Sequence, residues 1–153
     1  MSAQLDSLPK LRPMRVADLD YVTQIEPLIY THPWTRGNFD DSIKSGYSCW
    51  VIDCGGTLGG YGVLMIGVRE AHLLNLSVAP DWQGRGLGRF LLEQFVRIAR
   101  DSDAVQIFLE VRPSNLAARH LYADSGFRDI TVRRGYYPAT PGREDAILMG
   151  LVL

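Results

Sequence analysis

Two rhythms of apolar residues alternate along the chain. Leu19, Val22, Ile25 and Ile29 recur at helical spacing and predict a helix within Met14–Tyr30, after a basic extended piece. Asp18 lies in its cap region, and Pro27 predicts that the helix kinks or ends early. After the loop Thr31-His32-Pro33-Trp34-Thr35, Thr35 is placed to cap a second short helix reaching about Lys44. The β-formers of Tyr47–Asp53 and Gly60–Val68 flank Cys54-Gly55-Gly56-Thr57 and read as a hairpin. A third strand, about His72–Val78, runs into a glycine-dense turn. The helix after it, about Gly86–Arg100, carries Leu87, Leu91, Phe95 and Ile98 on one face. Gln106–Arg112 is another strand, and Pro113-Ser114-Asn115 opens a helix that Gly126 should terminate in the left-handed conformation. Strands at about Ile130–Tyr136 and Asp145–Val152 flank the loop Pro138–Gly142. The order α-α-β-β-β-α-β-α-β-β predicts a mixed α/β domain around one sheet.

Composition changes little in this picture. At 153 residues, 46% hydrophobic and 22% charged, the chain suits one globular domain over residues 1–153, with residues 1–10 expected to be loosely ordered. A net charge of −1 offers no electrostatic case for non-specific nucleic-acid binding. Met1–Pro13 lacks the apolar core of a signal peptide, and no apolar run is long enough to span a membrane, so a cytoplasmic protein is expected. Cys49 and Cys54, read on one strand, would point to opposite faces and read as reduced thiols. His32, His72 and His120 are scattered, so no metal site is expected.

The candidate chemistry starts at Asn75-Leu76-Ser77-Val78-Ala79-Pro80-Asp81-Trp82-Gln83-Gly84-Arg85-Gly86-Leu87-Gly88-Arg89. A strand, a glycine turn and a helix start together make an anion site, because bare backbone N–H groups and the helix dipole face the same way. A nucleotide-binding P-loop would need Lys-Ser/Thr after its last glycine, and here Arg89-Phe90 follows Gly88. A dinucleotide fingerprint would follow the first strand directly, whereas this turn lies mid-chain behind a hairpin. A plain tight turn into a helix also fits the glycines alone.

Gln83-x-x-Gly86-x-Gly88 behind a strand ending Val78-Ala79-Pro80 resembles the acetyl-coenzyme A signature of the GNAT superfamily of N-acetyltransferases. The run Leu109-Glu110-Val111-Arg112-Pro113-Ser114-Asn115, with Ala118, Leu121-Tyr122 and Gly126-Phe127, resembles the second half of that pattern. Arg133-Arg134-Gly135-Tyr136-Tyr137-Pro138 and Gly142-Arg143-Glu144-Asp145 narrow the resemblance to the type acting on the N-terminal alanine of a ribosomal protein. His32-Pro33-Trp34-Thr35 adds a weaker match; the first two helices match only loosely.

The resemblance implies a single-domain fold with a central, mostly antiparallel twisted sheet flanked by helices. It implies acetyl-coenzyme A as co-substrate, its pyrophosphate on the amides of Gly84, Arg85, Gly86, Leu87, Gly88 and Arg89. The pantetheine arm would lie along the backbone of Leu76, Ser77 and Val78 and against Asn115. An amide near Val78 would stabilise the oxyanion. Glu110 becomes the general base, acting through water on the substrate ammonium, and Tyr122 the general acid for the departing thiolate. Trp34, Tyr136 and Tyr137 would frame the acceptor, with Glu144 and Asp145 receiving a basic residue or pairing with Arg133, Arg134 or Arg143.

The implied partner is the N-terminus of the eighteenth small-subunit ribosomal protein. Direct nucleic-acid or membrane binding is not expected, and the expected assembly is a monomer or weak dimer. Each residue also has a plainer reading: Glu110 a solvated strand end, Asn115 a helix cap, Tyr122 and the acceptor-side aromatics ordinary packing. Other protein N-termini or a small-molecule amine remain alternative acceptors, and a non-catalytic cofactor-binding module or structural subunit are alternatives to an enzyme.

Overall fold

A computed structural model describes residues 9–153, so the loose order expected of residues 1–8 concerns residues outside it. Lys10, expected to be loose, instead opens a strand, β1 (Lys10–Pro13). The other strands are β2 (Ser48–Asp53), β3 (Leu58–Ile66), β4 (Glu70–Val78), β5 (Gln106–Val111), β6 (Arg128–Pro138) and β7 (Arg143–Val152). They form one seven-stranded sheet in the order β1-β2-β3-β4-β5-β7-β6. The pairs β1–β2, β2–β3, β5–β7 and β6–β7 are antiparallel, and β4–β5 is parallel. Four helices accompany them: α1 (Leu19–Ile29), α2 (Arg36–Lys44), α3 (Leu87–Asp101) and α4 (Leu116–Asp124).

The local signals explain most of these elements. Thr35 accepts from the Asn38 N–H at 3.2 Å, and the Asn38 side chain accepts from the Thr35 N–H at 2.9 Å, a reciprocal cap on α2. Gly126, at φ 98°, ends α4 with Gly126 N–H to Ala123 C=O and Phe127 N–H to Tyr122 C=O, both 3.0 Å. That is the left-handed termination glycine makes cheap. Pro27 lies in the last turn of α1, which stops at Ile29 with the Tyr30 N–H on the Glu26 carbonyl. Asp18 does not cap α1 with its side chain. It accepts from Arg12 at 2.9 Å through both oxygens and from the Arg15 N–H at 2.8 Å, and the Arg12 guanidinium holds its carboxyl below the usual range.

By internal packing the chain divides into two compact units, Met1–Leu64 with Asn75–Glu93, and Met65–Leu74 with Gln94–Leu153. In the first, Leu19, Val22, Phe39, Val51, Ile52, Tyr61 and Leu64 are buried. Cys49 and Cys54 are buried free thiols, and burial pushes that of Cys49 up to about 11. In the second, Phe95, Ala99, Ile107, Leu109, Ala146 and Met149 form the core. On α3 the buried stripe is Leu87, Leu91, Leu92, Phe95 and Ala99, with Ile98 only half-buried. Each large side chain so buried contributes about 1.5–3 kcal/mol of transfer free energy.

Candidate active site

The glycine turn belongs to the first unit. Gly84 and Gly86 adopt φ 76° and 82°, in the left-handed region, with nothing within 4 Å of where a Cβ would project. Glycine is needed there for backbone conformation and leaves the turn open to a ligand. The Phe90 N–H reaches the Gly86 carbonyl at 3.0 Å as the first helical bond. The amides of Leu87 and Gly88 therefore lie in the first turn of a 15-residue helix, ahead of that bond. Positive dipole and open amides together suit a phosphate. The Arg85 guanidinium stacks on Trp82, 4.7 Å from the ring centroid, which fixes its charge beside the turn.

The strand feeding this turn is unusual. Among the described residues the β4–β5 ladder runs from Glu70↔Gln106 to Leu73↔Leu109, so Leu76, Ser77 and Val78 lie past its last pair. Their other edge is tightly packed: a Cβ on Gly60 would come within 2.7 Å of the Ser77 carbonyl. Side chains engage two of the carbonyls, Tyr30 Oη donating to Leu76 at 3.1 Å and Gln83 Nε2 to Val78 at 3.1 Å.

Behind these residues lies a polar network that periodicity did not reveal. Glu26, 1% exposed on α1, accepts from Tyr61 Oη at 2.9 Å, the Trp34 N–H at 2.8 Å and Asn75 Nδ2 at 3.3 Å. Ser77 Oγ donates to Asn75 at 2.7 Å and lies 2.8 Å from Tyr30 Oη. Burial pushes the Glu26 carboxyl above its ordinary value, and the three donors oppose that shift without cancelling it. Burial likewise raises the Tyr30 hydroxyl to about 12 and the Tyr61 hydroxyl further, with the Glu26 charge adding to both. The sequence did carry one signal: Glu26 falls on the Leu19–Val22 stripe, where a helix facing a core carries apolar residues. Trp34 packs at 5.0 Å on Phe39, which meets Tyr61 edge-on at 5.7 Å, so its ring is part of this core cluster.

The second unit holds the other candidates. On β5, Ile107, Leu109 and Val111 are buried, and the Glu110 side chain, 9% exposed, projects to the opposite face. It is not the solvated strand-end charge of the plainer reading. Its Oε2 lies 2.5 Å from His72 Nε2 and its Oε1 lies 3.4 Å from Arg133 Nε. Burial raises the hydroxyls of Tyr136 and Tyr137, and the charge of Glu110 adds to both shifts. The two rings meet edge-on at 4.8 Å, and the Arg112 guanidinium lies 4.4 Å over Tyr137.

Of the acidic pair near β7, Glu144 accepts from Arg112 and from the Ser114 N–H and Oγ, each at 3.1 Å, so its carboxyl is held below the usual range. None of the three expected arginines is its partner. Arg133 turns to Glu110, Arg143 donates to the carbonyls of Gly135 and Tyr136, and Asp145 accepts from the Gly135 N–H. Asn115 caps α4, its Oδ1 accepting from the Ala118 N–H at 3.2 Å. Tyr122 is buried on α4 with its ring 5.8 Å from Phe127. Among the described residues no three His, Cys, Asp or Glu side chains gather as metal ligands, and no helix is long and apolar enough to cross a membrane.

Comparison with known proteins gives this geometry its context. Residues 19–127 match the model of the acetyltransferase (GNAT) family. The chain is 37% identical over 138 residues to the [ribosomal protein bS18]-alanine N-acetyltransferase of Escherichia coli K12, covering 90% of this chain and 93% of that one. Its fold superimposes on the crystal structure of the ribosomal-protein-S18-alanine N-acetyltransferase from Escherichia coli with a TM-score of 0.88, at 35% identity, over 95% of this chain and 94% of the other. A more distant fold match, at 21% identity and a TM-score of 0.80, is yncA from Salmonella typhimurium, solved with its cofactor acetyl-CoA; it covers 96% of this chain and 95% of that one.

Proposed function

Because the chain belongs to the acetyltransferase (GNAT) family, we propose that it moves the acetyl group of acetyl-coenzyme A onto the N-terminal alanine of the small-subunit ribosomal protein bS18. On this reading residues 1–153 act as one catalytic domain. In the first unit, the amides from Gly84 to Arg89 hold the pyrophosphate, and the backbone of Leu76, Ser77 and Val78 pairs with the pantetheine amides as an added strand does. In the second, Asn115, whose oxygen is spent on capping, offers its amide N–H groups to the same arm.

Glu110 carries the reading: a nearly buried carboxylate on an apolar strand, with two aromatics that respond to its charge. An α-ammonium has a pKa of about 7.7–8.0 and is not nucleophilic while protonated. Glu110 takes one N–H proton, through water, and the nitrogen lone pair then attacks the thioester carbon. As the C–S bond breaks, Tyr122 gives its phenolic proton to the sulfur. The products are the acetylated amine and the free thiol, and both side chains recover their resting protonation from solvent.

Tyr136 and Tyr137, which feel the Glu110 charge, border the acceptor, and their rings favour a small first residue. Arg133 beside Glu110 disfavours a polycationic small-molecule amine, which would meet like charge there. Thiol release from acetyl-coenzyme A, measured against peptides differing only in their first residue and against polyamines, tests this. Faster turnover of Ala-starting peptides is expected. Equal rates for Ala and bulky residues would reject the small-residue pocket, and turnover of polyamines alone would replace the acceptor.

A further inference from the structure

A base that accepts a proton in every turnover must also lose it, and Glu110 is poorly placed to do so alone. Its side chain is only 9% exposed, and both carboxylate oxygens face side chains, Oε2 towards His72 and Oε1 towards Arg133. Arg133 cannot receive a proton, because a guanidinium is always fully protonated in a protein. Tyr136 and Tyr137 also feel the Glu110 charge, but burial holds their hydroxyls protonated. His72 differs from all three. The β4–β5 register sets His72 opposite Phe108, and Phe108 shares a strand face with Glu110, so His72 and Glu110 project from the same side of the parallel pair. The His72 side chain is 25% exposed. An imidazole can take a proton on one nitrogen and release one from the other, which suits it as a shuttle between a buried group and water.

We propose that His72 is a positioning and proton-relay residue for Glu110, a role that rests on Glu110 being the base. The sequence of transfers balances. The substrate N–H bond breaks and the proton joins Glu110. It then passes from Glu110 to His72 Nε2, giving an imidazolium against a carboxylate. The imidazolium gives its Nδ1 proton to solvent water, and tautomer exchange with water at the part-exposed ring moves the remaining proton from Nε2 back to Nδ1, so that carboxylate and the starting imidazole are restored. No electrons change hands and no further reactant is required. While Nε2 carries the proton, its N–H donates to the carboxylate and holds it in one orientation.

The test compares His72→Gln and His72→Ala with the parent enzyme, using acetyl-coenzyme A and an Ala-starting peptide. Glutamine can still donate an N–H to Glu110 but cannot relay a proton. Both variants should lose about 10–100-fold in kcat, less than the roughly 10²–10⁴-fold of a lost general base, with KM for acetyl-coenzyme A unchanged. Added imidazole should restore turnover to His72→Ala, after subtraction of the enzyme-free reaction, and not to His72→Gln, whose side chain fills the space. Parental kcat in His72→Gln would reduce the contact to a hydrogen bond and overturn the relay. Failure of imidazole to rescue a His72→Ala protein that melts like the parent would overturn it as well. Glu110→Gln separates the two levels: undiminished turnover there removes Glu110 as the base, whereas loss there with parental His72 variants removes only the relay.

Discussion

Two largely hidden carboxylates in this molecule are differently surrounded. Glu26, in the first unit, meets three neutral donors: a phenol, a backbone amide and a side-chain amide. Glu110, in the second, meets an imidazole and a guanidinium. Neutral donors satisfy an acceptor without supplying or removing a proton, so the Glu26 network is a scaffold that ties α1, the Trp34 loop, β3 and β4 together. An imidazole, unlike those donors, can exchange a proton with a carboxylate, which makes Glu110 the better candidate for proton chemistry. Burial alone does not mark a functional acid; its partners do.

The sharpest way to break this contrast is to neutralise each group in turn. Glu110→Gln should lower kcat/KM for peptide acetylation roughly 10²–10⁴-fold, the usual span for a lost general base, while leaving the denaturant midpoint close to the parent's. A loss of stability without a loss of rate would reverse the assignment. Glu26→Ala strands three buried donors and should cost about 2–4 kcal/mol in urea unfolding, since each unsatisfied group costs about 1–3 kcal/mol before relaxation. An unchanged midpoint would mean that the network contributes nothing.

Acidity sharpens the comparison further. Because burial raises the Glu26 carboxyl, the folded chain holds that proton more tightly than the unfolded chain. Its contribution favours folding below the unfolded value of about 4.3 and is lost as pH rises through the folded value. Glu26→Gln cannot ionise and lacks this component. Relative to that variant, the parent should therefore lose stability between acid and neutral pH in thermal melts. A difference that stays constant with pH would show Glu26 to be unshifted. The smallest effect is expected at Arg133, whose side chain is 49% exposed and 3.4 Å from Glu110. Arg133→Gln should change kcat by less than about fivefold, in keeping with the weakness of exposed ion pairs; a larger loss would make it a partner equal to His72.

How much of this could be read from the residues alone follows from what each feature depends on. The Thr35 cap, the Gly126 terminator and the positive φ of Gly84 and Gly86 are local, settled within a few residues of chain, and the sequence announces them. Glu110 and Tyr122 become candidates only through resemblance to a family, since neither position has a local signature of catalysis. β1 was missed because Lys10–Pro13 has no alternating pattern; its strand exists through pairing with Trp50–Asp53 and through Arg12, held between Asp18 and Asp53. The partner of Glu144 was misjudged for a related reason. The sequence offers Glu144 either a basic residue of a peptide or Arg133, Arg134 or Arg143, whereas in the fold Arg112 on the loop after β5 reaches it.

By itself, then, the order of residues determined the periodicity of helices and strands, the turns that need glycine, and a family likeness that names the reaction. Tertiary structure decided which carboxylate meets only neutral donors and which meets an imidazole and a guanidinium. Glu26 and Asn75 are 49 residues apart, and His72 and Glu110 are 38 apart. Hydrogen bonds and desolvation act over a few ångströms in space, so the proton chemistry of a side chain is set by neighbours that only folding supplies.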